Sequence, residues 1–216
     1  TLSAKGLIKG FINCPINKKK VFRKSIGVTD FLGVKNKCRH SEVMMIYNKK
    51  MSVVPITTHI KIKDVSKKLD KNKIIKKLFT LNKSYYRYFK KKPKIAVLGL
   101  NPHNYELRKD SEEKKILIPV IKKLKKKMNI FGPFPADTIF LRGNLKKFNV
   151  IVGMYHDQVL APFKSLFGFD AVNITLGLPY LRLSPDHGVA EDKIKLKISS
   201  AYSLDKCIKI ISKINF

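Results

Sequence analysis

Residues 149–154 read Asn-Val-Ile-Val-Gly-Met, an apolar run that leads directly into Tyr-His-Asp-Gln at 155–158. Two further apolar runs end in the same way, at Asn101-Pro102-His103 and at Thr57-Thr58-His59. Short apolar runs of this kind are typical of buried strands in α/β proteins. Because open α/β sheets bind ligands beyond the carboxyl ends of their strands, the three stretches predict both an α/β fold and a ligand site.

Apolar runs alternate with helical patterns along the chain, as they do in an α/β protein with a largely parallel sheet. The runs predict strands at residues 10–14, 42–47, 52–56, 94–98, 149–154 and 171–175. Helical spacing predicts an amphipathic helix at 65–81 and a closing helix capped by Ser203. A capping box at 110–113 precedes another helix, in which Pro119 predicts a kink or a late start.

No internal repeat or linker divides the chain, so residues 1–216 are interpreted as one catalytic region. The Lys-rich stretch 83–93 is the predicted hinge between lobes. Because the chain starts at Thr1 and enters apolar sequence at once, we expect a truncated N-terminus. No apolar run reaches the roughly 20 residues of a membrane-spanning helix. Three widely separated cysteines argue against a disulfide framework and favour a reducing, cytoplasmic compartment.

The composition is strongly basic, with 46 Lys and Arg against 15 Asp and Glu and a formal charge of +31. Such a charge alone would indicate a nucleic acid or an anionic membrane as the partner. Only six of these cations are Arg, the residue that phosphate and base recognition favours. Lys, Ile and Asn have A/T-rich codons, so a biased genome explains the excess without a nucleic-acid partner. An inactive relative that binds RNA through its charge stays an alternative.

Three of the five histidines, His59, His103 and His156, lie just after a predicted strand. Neutral imidazole is the commonest nitrogen ligand of divalent metals, and a catalytic centre needs three protein ligands with open positions. The long separations between these histidines match no local metal motif. On the residues alone, each one is more often a hydrogen-bonded structural residue than a ligand.

Four separated segments together resemble one known family. They are Asn17-Lys18, Asn101-Pro102-His103, Tyr155-His156-Asp157-Gln158, and residues 178–182 with Asp186-His187-Gly188. In these motifs the chain resembles the 4-hydroxythreonine-4-phosphate dehydrogenases of vitamin B6 biosynthesis. The resemblance implies an α/β fold similar to isocitrate and isopropylmalate dehydrogenases, with two lobes around a cleft and the opening part of the fold missing. It also implies a homodimer whose interface completes the active site.

The resemblance further implies the metal and catalytic residues. The metal ligands would be His59, His103 and His156, holding a divalent ion such as Zn, Mg, Co or Mn. Asp157 and Asp137 are motif carboxylates that would relay a proton or orient a ligand. Asp157 is equally well explained as a partner that orients a metal-binding histidine.

A small phosphorylated amino acid is the substrate that the resemblance implies. Its binding residues would be Thr29, Lys164, Asn173 and Arg182. Lys supplies a point charge, Arg a planar fork, and Asn both a donor and an acceptor, which suits such a molecule. The implied reaction is the NAD(P)-dependent oxidation and decarboxylation of 4-phosphooxy-L-threonine to 3-amino-2-oxopropyl phosphate. No Gly-x-Gly-x-x-Gly fingerprint occurs, so NAD and NADP both stay open.

The chain departs from the family's motifs at three places. Gly27-Val28-Thr29-Asp30 stands where the family has Gly-His-Thr-Glu, and Val28 cannot donate a hydrogen bond. The segment after His103 lacks the family's glycines, so it is expected to follow a different backbone path in part. Val189 replaces a threonine. Val28 favours, as the alternative, a sister dehydrogenase for a phosphorylated four-carbon acid such as threonate 4-phosphate.

Overall fold

The structure is a computed structural model that describes residues 2, 5, 7–17, 27–38, 41–189 and 200–214. Lys18 of the first motif lies outside the described residues. Within them, the strands are β1 (Gly10–Ile12), β2 (Val43–Tyr47), β3 (Ser52–Pro55), β4 (Ile95–Leu98), β5 (Ile130–Phe134), β6 (Val150–Gly153), β7 (Val172–Leu176) and β8 (Leu181–Pro185). The α-helices are α1 (Val28–Lys35), α2 (Val65–Lys68), α3 (Lys71–Phe89), α4 (Ile118–Leu124), α5 (Ala136–Ile139), α6 (Arg142–Leu145), α7 (His156–Phe167) and α8 (Tyr202–Lys213).

All eight of these strands belong to one mixed sheet, in the order β1-β8-β7-β2-β3-β6-β4-β5. The strands β3, β6, β4 and β5 are parallel, and β1 is parallel to β8. The strand β2 is antiparallel to β3 and β7, and β7 is antiparallel to β8. Consequently β1 and β8 run opposite to β3 and β6, and their carboxyl ends lie at opposite edges of the sheet.

Two apolar layers cover the two faces of the sheet, because side chains alternate between the faces along each strand. Val43, Met45, Leu181 and Leu183 face the larger layer, which includes residues of α3, α4 and α8. Met44 and Ile46 face the smaller layer, which includes residues of α5 and α7. Arg182 alternates with Leu181 and Leu183, so it lies on the face that α7 covers.

The six strands predicted from apolar runs are confirmed, each with ends shifted by one or two residues. Two strands were not predicted. The strand β5 contains Gly132 and Pro133, which interrupt a strand pattern, and it forms an edge of the sheet, where Pro is tolerated. The strand β8 begins two residues after Pro179 and ends at Pro185, and these prolines hid its alternation of apolar and polar residues.

The helix predicted at 65–81 is interrupted at Leu69-Asp70 and then continues to Phe89. The Asp70 Oδ1 accepts a hydrogen bond from the Lys73 backbone N–H at 2.9 Å and so starts α3 as an N-cap. Residues 83–89 of the predicted hinge are therefore helical, and a hinge at 90–93 stays a prediction. None of the helices in the described ranges combines the length and apolarity that crossing a bilayer requires.

The irregular helix predicted around Pro119 is confirmed. A π-helical turn at Glu113–Leu117 precedes α4, and Ser111 Oγ accepts from the Lys114 N–H at 3.1 Å. Pro119 has no N–H to continue the regular pattern. The predicted cap of the closing helix is wrong, since Ala201 occupies that position and Ser203 lies within α8. Ser203 instead bonds outside its helix, to Ala171 and Asp186.

Candidate functional site

A cavity of about 680 Å³ lies between α7 and the sheet face formed by β2, β7 and β8. Met44 and Ile46 form part of its apolar wall. Of the residues predicted for the site, those that line the cavity are Thr29, His59, His156, Lys164, Asn173 and Arg182. His103, Asp137 and Asp157 are not among the lining residues. The cavity therefore gathers every predicted substrate-binding residue and two of the three predicted metal ligands.

Arg182 is the most buried cation of the cavity, with 2% of its surface exposed. Its Nε donates to Asn13 Oδ1 at 2.6 Å, and its Nη1 donates to Thr175 Oγ1 at 3.2 Å. Both partners are neutral, and none of the described carboxylates pairs with this guanidinium. Burial lowers the pKa of Arg182 to about 10. The side chain nevertheless stays a cation at neutral pH and lacks a counterion within the described part of the chain.

Thr29 belongs to the same group of polar side chains. Its hydroxyl lies 3.3 Å from that of Thr175, which also bonds Arg182. Thr29 is positioned by α1, whose first residue Val28 lines the cavity beside it. A ligand that reaches Arg182 therefore meets the start of α1 as well.

Lys164, the second cation of the cavity, differs from Arg182 because it has an acidic partner. Its Nζ forms an ion pair with Asp186 Oδ2 and donates to the Asp186 carbonyl oxygen at 2.8 Å. The Nζ also lies 4.4 Å from the ring centroid of Phe169, an exposed residue of the cavity wall. Burial raises the pKa of Asp186, although the contact with Lys164 acts in the opposite direction.

Asn173 brings an unpaired acceptor to the site. It lies on β7 opposite Ser184 of β8, and both residues line the cavity. The Asn173 Oδ1 is buried and accepts no hydrogen bond from the described residues. Because buried polar atoms are nearly always satisfied, this oxygen favours a ligand with a donor group.

His59 and His156 are two predicted metal ligands that lie close together on the cavity wall, with ring centroids 5.8 Å apart. Gly27 packs against the His59 ring, since a Cβ there would approach its Cε1 and Nδ1 to 3.1 Å. The His156 Nδ1 lies 2.6 Å from Asp157 Oδ1, although Asp157 is 78% exposed. Asp157 thus orients His156 from outside the cavity, which matches the second interpretation of this residue.

His103 lies apart from the other two histidines. It is 77% exposed, and its Nε2 is 3.5 Å from Asp137 Oδ2. In the part of the chain that the structure describes, no three His, Cys, Asp or Glu side chains are arranged to hold a metal ion. The predicted triad of His59, His103 and His156 is therefore not assembled within one chain and stays a prediction.

An unusual backbone carries His103. His103, Asn104, Tyr105, Glu106 and Leu107 all have φ between 46° and 57°, the left-handed region that favours glycine. We call residues 103–107 the left-handed turn. Asn104 anchors it, because its Nδ2 donates to the Pro133 carbonyl oxygen at 3.1 Å. The segment thus adopts, without glycines, a backbone conformation that glycine favours, and a path different from that of the family stays a prediction.

Sequence reasoning assigned no role to Asn13, Gln158 and Asp186. Gln158 fills the space between two strand ends, accepting from Met154 N–H at 2.6 Å and donating to Gly99 O at 2.7 Å. Asn13 directly follows β1, so the rule of polar residues beyond strand ends predicts it once β1 is known. Asp186 directly follows β8, which was not predicted, and so carried no such signal.

The fold and the cavity define an α/β protein with one buried and one partly buried cation on one face of a mixed sheet. The chain belongs to the family described as pyridoxal phosphate biosynthetic protein PdxA, whose model matches residues 1–211. This match confirms the resemblance found in the motifs and the α/β class of the fold.

Individual relatives agree with the family. A 4-hydroxythreonine-4-phosphate dehydrogenase of Aquifex aeolicus is 42% identical over 193 residues, which are 87% of this chain and 59% of the relative. One of Sulfurihydrogenibium is 39% identical over 205 residues, or 92% and 63%. A crystal structure of the Klebsiella pneumoniae enzyme superimposes with a TM-score of 0.82 at 30% identity, covering 98% of this chain and 66% of that one. The chain spans about three fifths of the length of these curated relatives.

Proposed function

We propose that this chain forms the catalytic part of a 4-hydroxythreonine-4-phosphate dehydrogenase that depends on NAD(P) and a divalent metal. The observation that carries the proposal is Arg182, a buried cation on the cavity wall without a carboxylate partner in the described residues. Since a buried charge without a counterion is unfavourable, the cavity favours an anionic ligand. Membership in the family supports 4-phosphooxy-L-threonine as that ligand.

The proposed substrate would bind through the four residues that the cavity gathers. Arg182 uses two of its five N–H groups on Asn13 and Thr175, so the others are available for a phosphate or a carboxylate. Lys164 would add a second positive charge, and Thr29 a hydroxyl group. The buried Asn173 Oδ1 would accept a hydrogen bond from a donor of the substrate.

The residues present fit a divalent ion in part. The rings of His59 and His156 have a spacing that two nitrogen ligands of one ion can adopt. The contact between Asp157 and His156 Nδ1 would leave Nε2 as the ligand atom. An ion held there would supply Lewis-acid polarisation of a substrate oxygen.

His103 would complete this centre from a second copy of the chain. Within one chain it does not line the cavity, and its high exposure leaves it accessible to a partner. A homodimer with a shared active site would place the left-handed turn of each copy at the cavity of the other. This arrangement accounts for a predicted ligand that lies on the surface.

The proposed reaction breaks the carbinol C–H bond of the substrate and passes its hydride to NAD⁺ or NADP⁺. The hydroxyl proton leaves at the same stage. The resulting β-keto acid then loses CO2 and takes up a proton, giving 3-amino-2-oxopropyl phosphate. Arg182 and Lys164 would hold the substrate through both stages and would take no part in the bond changes.

A sister acid such as threonate 4-phosphate is the second candidate substrate. The observation that favours it is Val28, which lines the cavity with an apolar side chain where the family has a histidine. This acid carries a neutral hydroxyl group where the amino acid carries an ammonium group, so it needs different polar contacts from the cavity. In this case the fold, the metal and the cofactor would stay the same.

The proposed function is tested by turnover. The full-length protein is supplied with 4-phosphooxy-L-threonine, a divalent metal and either NAD⁺ or NADP⁺, and the reduced cofactor is measured. We expect turnover with one of the cofactors, loss of activity with a chelator, and little activity in His156→Ala. No turnover with either cofactor, in protein shown to retain metal, would overturn this substrate assignment.

A further inference from the structure

Glu113 is a fully buried carboxylate outside the cavity, with 0% of its surface exposed. It begins the π-helical turn that precedes α4, and turns of this kind are frequent at functional sites. No Lys, Arg or His in the described part of the chain forms an ion pair with it. Because an unpaired carboxylate is unfavourable in the interior, Glu113 depends on its hydrogen bonds.

The donors to Glu113 all come from the residues that lead into the left-handed turn. Its Oε1 accepts from the backbone N–H groups of Leu100 at 2.7 Å and Asn101 at 2.9 Å. Its Oε2 accepts from Asn101 Nδ2 at 3.0 Å. The carboxylate therefore fixes both the backbone and the side chain of Asn101, two residues before His103.

Gly99 leaves room for this carboxylate at the end of β4. A Cβ on Gly99 would lie 3.0 Å from Glu113 Oε1 and 2.0 Å from Oδ1 of Asn104, a residue of the left-handed turn. The Gly99 carbonyl oxygen accepts from Gln158 of α7 at 2.7 Å. Glu113 is thus buried where the end of β4 meets both the left-handed turn and α7.

We propose that Glu113 is a positioning residue, which fixes the start of the left-handed turn so that His103 is presented in one orientation to the proposed metal centre. This inference rests on the proposed function, in which His103 supplies the third ligand from a second copy. The turn contains five consecutive residues with unfavourable positive φ, so it needs strong bonds at its start. Hydrogen bonds to a carboxylate are roughly twice as strong as neutral ones and meet this need.

Asn101 gives the inference a specific signature, because its Nδ2 also donates to Glu112 Oε2 at 2.8 Å. Desolvation would raise the pKa of Glu112, but hydrogen bonds from Ser66 and Asn101 outweigh it and lower the pKa. Glu112 is therefore ionised at neutral pH. An Asn101 side chain that turned its Oδ1 toward the two acidic residues would meet this negative charge.

Glu113→Gln should consequently release the start of the turn. Whichever way the new amide is oriented, its NH2 group meets a donor, either the backbone N–H groups or Asn101 Nδ2. In the double variant Glu112→Gln/Glu113→Gln, a reversed Asn101 can accept from both new amides. The double variant should therefore regain part of what the single variant loses.

Amide exchange and Co²⁺ binding of the full-length protein test the inference without turnover. Glu113→Gln should speed exchange of the Leu100 and Asn101 amides roughly 10-fold relative to the amides of β6. It should also weaken Co²⁺ binding roughly 10 to 100 times. In a His103→Ala background, Glu113→Gln should cause no further loss of Co²⁺ affinity, because Glu113 acts through His103.

Glu106→Gln is the matched control, since Glu106 is exposed on the turn itself and the same charge is removed. It should change neither measurement. Unchanged exchange in Glu113→Gln, or a loss of Co²⁺ affinity that persists in the His103→Ala background, would overturn the inference. Unchanged Co²⁺ binding in His103→Ala would instead contradict the third ligand of the proposed function, and the exchange result alone would then decide whether Glu113 fixes the turn.

Discussion

The cavity and the left-handed turn present their functional side chains in opposite ways. In the cavity, Arg182 and Lys164 are fixed by hydrogen bonds to neighbouring side chains and strands. In the turn, His103 is exposed, and its orientation depends on five residues with positive φ. The cavity contains a buried charge, which is unfavourable, and the turn contains a strained backbone.

This contrast indicates which parts of the candidate site are complete within one chain. Buried side chains with fixed partners are ready to bind a ligand, since little entropy remains to be lost. Among the described residues, the exposed His103 contacts only Asp137, although the left-handed region costs about 1–2 kcal/mol per residue. Strain of this kind is typically retained at functional sites. This contrast supports the proposal that the two regions are halves of one site that meet across two chains.

The largest expected effect comes from Arg182→Met. Removing the buried cation should weaken binding of 4-phosphooxy-L-threonine by roughly 100-fold or more. The same change should raise the free energy of unfolding by about 1 kcal/mol, because it removes a desolvated charge without a counterion. Calorimetry and denaturant unfolding measure the two effects. Arg142→Met, at an exposed arginine of α6, is the control for both; a fall in stability on Arg182→Met would contradict the interpretation of the cavity.

A second prediction concerns Gln158, which links the start of α7 in the cavity to the strand that leads to the left-handed turn. Gln158→Ala leaves the Met154 N–H and the Gly99 carbonyl without partners, so the free energy of unfolding should fall by about 2–3 kcal/mol. Asn144→Ala, which removes two exposed hydrogen bonds, to Thr138 and from Lys147, should cost no more than about 0.5 kcal/mol. Equal losses would show that Gln158 does not join the two regions.

The strain in the turn predicts an effect of opposite sign. Glu106→Gly should raise the free energy of unfolding by about 1 kcal/mol, since glycine adopts the φ of 47° without steric cost. The matched change Lys76→Gly, at an exposed position of the right-handed helix α3, should lower it by about 1 kcal/mol. Denaturant unfolding of both variants gives the comparison. Destabilisation by both changes would mean that the turn is not strained.

The smallest effect is a pH dependence that distinguishes the cavity from the turn. Because burial raises the pKa of Asp186, the folded protein binds this proton more tightly than the unfolded chain does. The contribution of Asp186 to stability is therefore fully present below the unfolded pKa near 4 and is lost as pH rises through the folded value. Unfolding at several pH values should show that the unmodified protein loses stability relative to Asp186→Asn over this range. A constant difference would contradict the raised pKa.

Much of the fold could be predicted because local apolar runs mark buried strands. The strand β8 shows the limit, since Leu181, Arg182, Leu183 and Ser184 do alternate but lie between prolines that indicate a loop. Its antiparallel pairing with β7 brings Asn173 opposite Ser184. No local sequence pattern predicts this pairing. The sequence predicted a ligand site at an edge of the sheet, beyond the strand ends. Because of the strand directions, the cavity lies against a face of the sheet instead.

The candidate site was predicted unevenly for the same reason. Arg182 was identified through its motif and the scarcity of arginine, and the structure places it on the cavity wall. The charge balance between Lys164 and Asp186 depends on a contact across 22 residues between a helix and a strand end. The separation of His103 from His59 and His156 depends on the whole sheet order. Sequence motifs name such residues, but they do not determine which of them meet within one chain.

Mixing two variants tests the shared site most directly. His103→Ala keeps the cavity but loses the proposed third ligand, whereas Arg182→Met keeps His103 but loses the anion site. Each full-length variant alone should be nearly inactive with 4-phosphooxy-L-threonine. Co-refolded in equal amounts, they should recover about a quarter of the unmodified activity, because half of the dimers would then hold one intact site. Activity of the mixture no higher than that of the separate variants would contradict a site completed by His103 of a second copy.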